Sequence, residues 1–183
     1  MGVTSISAFK ALITARHGLA LQNRFQVKVT VPTAVTTALG TSVSISDLNI
    51  LCDAAGLPER QISTFEYQAE KQIVRHPSGF VNSDVVLTFH LTNDYFVKQV
   101  FDAWATAVVD SEDYRVNYFD NFIADIEIWQ LNKAGFPVYG VLLQNAYPIT
   151  NFGPPLDNKS ESTTQTYSVT LTYENWIVLP IPD

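Results

Sequence analysis

Strict alternation of side chains is what most limits this sequence. From Gln165 to Tyr173, the residues Tyr167, Val169, Leu171 and Tyr173 fall on one side of an extended backbone, and Thr166, Ser168, Thr170 and Thr172 on the other. A period of two is the pleat of a β-strand with one face in a core. The pattern recurs at Phe25, Val27, Val29 and Val31, and again over Ser83 to Leu91, where Val85, Leu87, Phe89 and Leu91 oppose Asp84, Val86, Thr88 and His90. Half-buried strands of this kind pair and close over a shared core. The expectation is therefore a mainly β (α+β) fold of about six strands, an antiparallel β-barrel or sandwich.

Two segments break that rhythm with a helical one. Over 94–108, Phe96, Val97, Val100, Phe101, Trp104, Ala105 and Val108 recur at the spacing of an amphipathic helix, with Asn93 or Asp94 available as a cap. Its aromatic residues read as core, with Phe96, Val100, Phe101, Trp104 and Val108 turned inward. A shorter helix is expected over 5–17, ended by Gly18. Residues 33–47, rich in Thr and Ser around Gly40, read as a loop or small hairpin arm, and the 61–75 stretch as a long strand or hairpin whose partner lies outside its own domain. A β-hairpin is expected from Phe122–Leu131 and Pro137–Gln144 around Asn132-Lys133-Ala134-Gly135. The 147–156 stretch reads as an extended connection fixed by its prolines, and His76-Pro77-Ser78-Gly79 as turn-like. With 183 residues the whole chain is read as a single domain, residues 1–20 forming a helical N-terminal extension.

Composition excludes more than it selects. The formal charge is −7, the wrong sign for a protein that grips phosphates, although a wall that DNA must slide past should repel it. Charged residues are 16% of the chain against a usual 25% or so, which fits a surface covered by partners as well as one that is polar. The lone Cys52 makes no internal disulfide. No apolar stretch has the length of a signal peptide core or a membrane span, so a soluble chain without membrane anchoring is expected.

Chemistry is equally sparse. His17, His76 and His90 stand at unrelated positions, and neither GxSxG, HExxH nor a phosphate-cradling glycine loop occurs. Asp125 and Glu127 share a strand face, but a cation needs more oxygens than two. The reading is of a protein that is not an enzyme and carries no cofactor and no metal site.

Several words in a fixed order resemble a known family. They are Asn23-Arg24-Phe25 opening the first strand, Gly56-Leu57-Pro58, the long region leading into Asp84–Leu91, and Phe101-Asp102-Ala103-Trp104 on the helix. Further along come Asp125–Leu131, Gly135 to Tyr139, Asn145-Ala146-Tyr147-Pro148 and Tyr173-Glu174-Asn175-Trp176. Together, over most of residues 20–178, the chain resembles the tail-tube proteins of contractile-tailed phages and related contractile injection systems. The resemblance implies a homohexameric ring whose inner strands complete one barrel, stacked rings inside a tail sheath, and tape-measure and baseplate proteins as further partners. It implies a virion protein assembled in the host cytoplasm, with double-stranded DNA passing through the lumen without tight binding. Glu66, Gln68 and Glu70, or the alternate Tyr67 and Lys71, are then expected to line the channel, and Thr36, Thr37, Gly40, Thr41 and Ser42 to form a loop between rings or subunits.

Two other readings accompany it. The segment before Arg24 and the Thr/Ser stretch at 33–47 look like decorations similar to those of tube-initiator proteins at the baseplate. From a different class, a ligand-binding β-sandwich would also show alternating strands with Trp129 and Trp176 at its surface.

Overall fold

The computed structural model describes residues 5–40, 45–69, 72–111, 113–157 and 164–181. Its centre is a seven-stranded antiparallel sheet. In chain order the strands are β1 (Phe25–Val29), β2 (Cys52–Ala55), β5 (Val85–His90), β6 (Ala124–Leu131), β7 (Pro137–Asn151), β8 (Thr166–Thr172) and β9 (Asn175–Leu179). They lie in the order β1-β6-β7-β8-β5-β2, with β9 added on β7. Two more strands, β3 (Arg60–Ala69) and β4 (Gln72–Asn82), form a separate two-stranded sheet.

The alternation read from the sequence is what the sheet buries. Val27 and Val29 of β1, Val85, Leu87 and Phe89 of β5, and Tyr167, Val169 and Leu171 of β8 all face the core. Against them packs α4 (Phe96–Val108), whose Val97, Val100, Phe101 and Trp104 are completely buried while Phe96 and Val108 pack at the margin. The Phe101 and Trp104 rings stack at 5.9 Å between centroids, and Phe89 approaches Phe101 at 5.3 Å. The indole N–H of Trp104 donates to the Phe122 carbonyl at 2.6 Å, so this large side chain is buried without an unpaired polar atom. The cap residue of α4 is Tyr95, in the left-handed conformation at φ 55°, rather than Asn93 or Asp94. Asp94 still accepts the Phe96 N–H at 3.2 Å.

Four expectations are corrected. The 33–47 segment is not a loop: it contains α2 (Thr33–Leu39) and the start of α3 (Ile45–Ile50). These short helices are held by burying Val35 and Leu48 in the core, which overrides the poor helix propensity of Thr, Val and Ser. The 147–156 connection is a strand as far as Asn151, because β7 runs 15 residues through Pro148 and bends from β6 and β9 onto β8. Pro148 is accommodated where the β7–β8 register shifts, between Pro148 and Thr150. His76-Pro77-Ser78-Gly79 is not a turn but lies within β4, at a register shift opposite Ser63 and Thr64. Finally, Phe122 does not begin a strand: it closes α5 (Phe119–Phe122), and β9 adds a strand at Trp176.

The N-terminal helix α1 (Ile6–Ala15) is present, with the Ser5 hydroxyl accepting the Ala8 N–H at 3.2 Å. None of its residues is buried. Among the described residues, no helix is long and apolar enough to cross a membrane.

Candidate assembly surface

The hairpin β3–β4 stands apart from everything else in the molecule. Its strands pair from Arg60↔Asn82 to Ala69↔Gln72, an arm of about 30 Å at the usual rise per residue. Directly opposed residues share a face, so beyond the register shift Glu66, Arg75, Gln68 and Ile73 lie on one side, and Phe65, His76, Tyr67 and Val74 on the other. The first side is mostly polar, with Arg75 donating to Glu66 at 3.0 Å. The second is mostly apolar, with the Phe65 and His76 rings 5.7 Å apart. Ile62, Phe65, Tyr67, Ile73, Phe80 and Val81 are each more than half exposed.

Only its base is tied down. The Arg60 guanidinium donates to Asn175 at 3.1 Å and lies over the Phe80 and Trp176 rings at 4.5 and 5.0 Å. A two-stranded hairpin is marginal by itself in water, and its outer edges carry hydrogen-bonding groups open to another chain. The strand order of the main sheet ends in β1 and β2, which border a cleft of about 800 Å³ lined by Phe25, Cys52, Ala54, His90 and Trp129 among others, and β9 pairs with β7 alone. Unpaired edges and exposed apolar side chains on a projecting arm are what an obligate assembly leaves on its isolated subunit.

The model of the phage tail tube protein family matches residues 20–179. The chain belongs to the phage tail tube protein family. Solved chains with the same fold include one in the extended sheath–tube complex of PVC, an extracellular contractile injection system. It has a TM-score of 0.64 and 19% identity, over 97% of this chain and 99% of that one. A chain of the anti-feeding prophage baseplate, 6-fold symmetrised, gives 0.63 and 16% over 89% and 97%. A chain of the same prophage's tube-terminating cap gives 0.62 and 17% over 88% and 91%. Among curated proteins, none matches the sequence.

Within this tail tube family fold the sequence-predicted residues fall as follows. Glu66 and Gln68 lie on the polar side of the hairpin arm, and the alternate Tyr67 on its apolar side. Glu70 and Lys71, like Thr41 and Ser42, lie outside the described residues. Thr36 and Thr37 sit on α2, where both hydroxyls donate back to the Thr33 carbonyl, at 2.9 and 2.8 Å, and Gly40 ends that helix at φ 78°. The sequence reading carried the arm only to Arg75 and missed the rest of β4, because a Pro-Ser-Gly run masks its alternation. The apolar Ile73, Phe80 and Val81 around that run were the available signal.

Several ionisable groups of the tail tube chain are held in structural contacts. Asp125 accepts the Asn145 N–H at 3.2 Å, while Glu127 pairs with Lys28 at 2.9 Å and accepts the Trp129 indole N–H at 3.0 Å. The indole bond and Lys28 together hold the Glu127 carboxyl below its ordinary range, against a smaller opposing effect of burial. His90 lies 3.1 Å from Asp53. Burial, and then the Asp53 charge, push the Cys52 thiol up to about 12, the opposite of what a nucleophile needs. Among the described residues no three metal-ligating side chains come together. Of the two tryptophans read as surface residues, Trp129 covers Gly140 across the sheet and Trp176 packs against the core beneath Arg60.

Proposed function

We propose that this chain is a repeating subunit of an inner tail tube, closing into hexameric rings that stack into a channel for genome delivery, inside a sheath and on a baseplate. The observation that carries this reading is the hairpin arm, which exposes apolar side chains and bare strand edges that a neighbouring copy would cover. Membership of the tail tube family and the fold shared with chains of a sheath–tube complex and a baseplate support it. In such a ring Glu66 and Gln68, on the polar side of the arm, line the lumen, and the side bearing Phe65 and Tyr67 meets the next subunit. A net charge of −7 suits a lumen that DNA passes without sticking. The whole chain acts as one tube domain, and its work is structural rather than catalytic.

A baseplate tube initiator of the same fold is the second reading, favoured by the uncovered helix α1 ahead of the first strand. One feature that suggested it has gone, since α2 and α3 are core-packed parts of the fold and not added loops. Electron microscopy with mass photometry at rising protein concentration tests the choice. Six-fold rings growing into hollow tubes are expected; single rings that never elongate would favour the initiator, and a persistent monomer would overturn both.

A further inference from the structure

Charge is divided unevenly along this chain. All 18 acidic residues lie at or after Asp47, whereas Lys10, Arg16, Arg24 and Lys28 precede it with no acid among them. Of these, Lys10 sits on α1 and Arg16 caps its C-terminal end. At 100° per residue Ile6, Phe9 and Ile13 share one side of that helix, and Lys10 and Arg16 flank it. Ile6, Phe9 and Leu12 are each more than half exposed. The result is an apolar stripe edged by positive charge on a protein whose net charge is −7.

The chain carries a complementary surface. Between α4 and α5, Tyr114 and Tyr118 are each 85% exposed, Val116 is 71% and Phe119 46%. The carboxylates of Asp113 and Asp120 are exposed among them, against the single cation Arg115. The segment is held in shape by the Val109↔Val116 bridge and by the Asn117 N–H donating to the Val108 carbonyl at 3.1 Å. Exposed aromatic residues with acids around them fit an apolar helix face edged by Lys and Arg.

These two surfaces lie at opposite ends of β6. α1 leaves the sheet beside the turn that follows β6, where Gly18 lies against Lys133 and the Gln130 amide donates to the Leu21 and Arg24 carbonyls at 2.9 and 2.8 Å. The aromatic segment enters through α5 at the start of β6. An eight-residue strand is about 26 Å long and a ten-residue helix about 15 Å, so α1 does not reach the segment of its own chain.

We propose that α1 docks onto the Asp113–Asp120 segment of a second copy of this chain, stacked end to end along the direction of β6. Such a contact is heterologous and repeats without closing, which is the symmetry of a growing stack and not of a ring. It deepens the tube reading and rests on it, but ring closure through the hairpin arm uses neither surface.

The test reverses the charges, comparing K10E/R16E and D113K/D120K with the wild-type chain by electron microscopy and sedimentation. Each variant alone is expected to keep its rings and to give stacks at least tenfold shorter. An equimolar mixture is expected to recover long stacks, because alternating rings then meet with opposite charges at every junction. Either variant elongating like the wild type, or a mixture that stays as single rings, would overturn the contact while leaving the ring intact. Retention of wild-type protein, but not K10E/R16E, on anionic phospholipid vesicles with stacking unchanged would also overturn it, assigning α1 to a membrane surface instead. A wild-type chain that never forms rings overturns the tube reading, and this contact with it.

Discussion

The two sheets of this molecule are built from similar residues and live under opposite conditions. In the main sheet, Val27, Leu87, Phe89, Val169 and Leu171 disappear into the core. In the hairpin arm, Ile62, Phe65, Tyr67, Ile73 and Phe80 remain in water. Burying one large apolar side chain is worth about 1.5–3 kcal/mol. The first set therefore stabilises the isolated subunit, and the second holds the same kind of free energy in reserve for whatever covers it. In the proposed tube, a single chain thus separates the interactions that fold it from those that assemble it.

Trp104→Ala should break the folded side of this contrast most severely. It opens a cavity beside Phe101 and removes the bond to the Phe122 carbonyl, so a loss of about 3–5 kcal/mol is expected from denaturant unfolding of the subunit. A change that left stability intact would mean that the core does not depend on α4. Gly140→Val comes next, because even a Cβ at Gly140 would stand 2.3 Å from the Trp129 ring. Displacing that ring should cost about 1–3 kcal/mol, measured the same way.

On the arm the expectation inverts. Phe65→Ser with Tyr67→Ser should alter subunit stability by no more than about 0.5 kcal/mol, while raising the concentration needed for assembly at least tenfold in light scattering. Equal losses in both measurements would erase the distinction between the two sheets. The smallest effect is at Glu127. Its carboxyl is depressed in the folded chain, so the unfolded chain binds more protons just below the ordinary value of 4.5, and stability falls as pH drops through the folded value. Glu127→Gln should flatten that acid limb while leaving stability at neutral pH only slightly lower, and unchanged acid sensitivity would remove the role given to Trp129 and Lys28.

Strands with one face in the core could be read directly, because Val85 to Phe89 and Tyr167 to Leu171 carry a period of two that burial enforces. The helix α4 was equally plain from its recurring aromatic residues. What escaped was structure decided by distant contacts. α2 and α3 are helical because Val35 and Leu48 fill the core, and nothing local in a Thr- and Ser-rich segment announces that. Pro77 and Pro148 read as interruptions, yet each lies beside a register shift where a missing N–H costs little. The arm was expected over 61–75 as a long strand or hairpin, but the rest of its second strand hid behind His76-Pro77-Ser78-Gly79. On the arm, the polar side with Glu66 and Gln68 could be named from the sequence, whereas the pairing of Phe65 with His76 and Tyr67 with Val74 on the other side needed the register.

The 15-residue strand β7 has a mechanical consequence. It is bonded along its length to β6, β8 and β9, and it bends from the first and last of these onto the second. A pull directed along β7 loads those ladders in shear, so many hydrogen bonds must fail together, whereas a pull across it would peel them one after another. The subunit is therefore stiff along one axis and yielding across it, a rod-like anisotropy already present in a single chain.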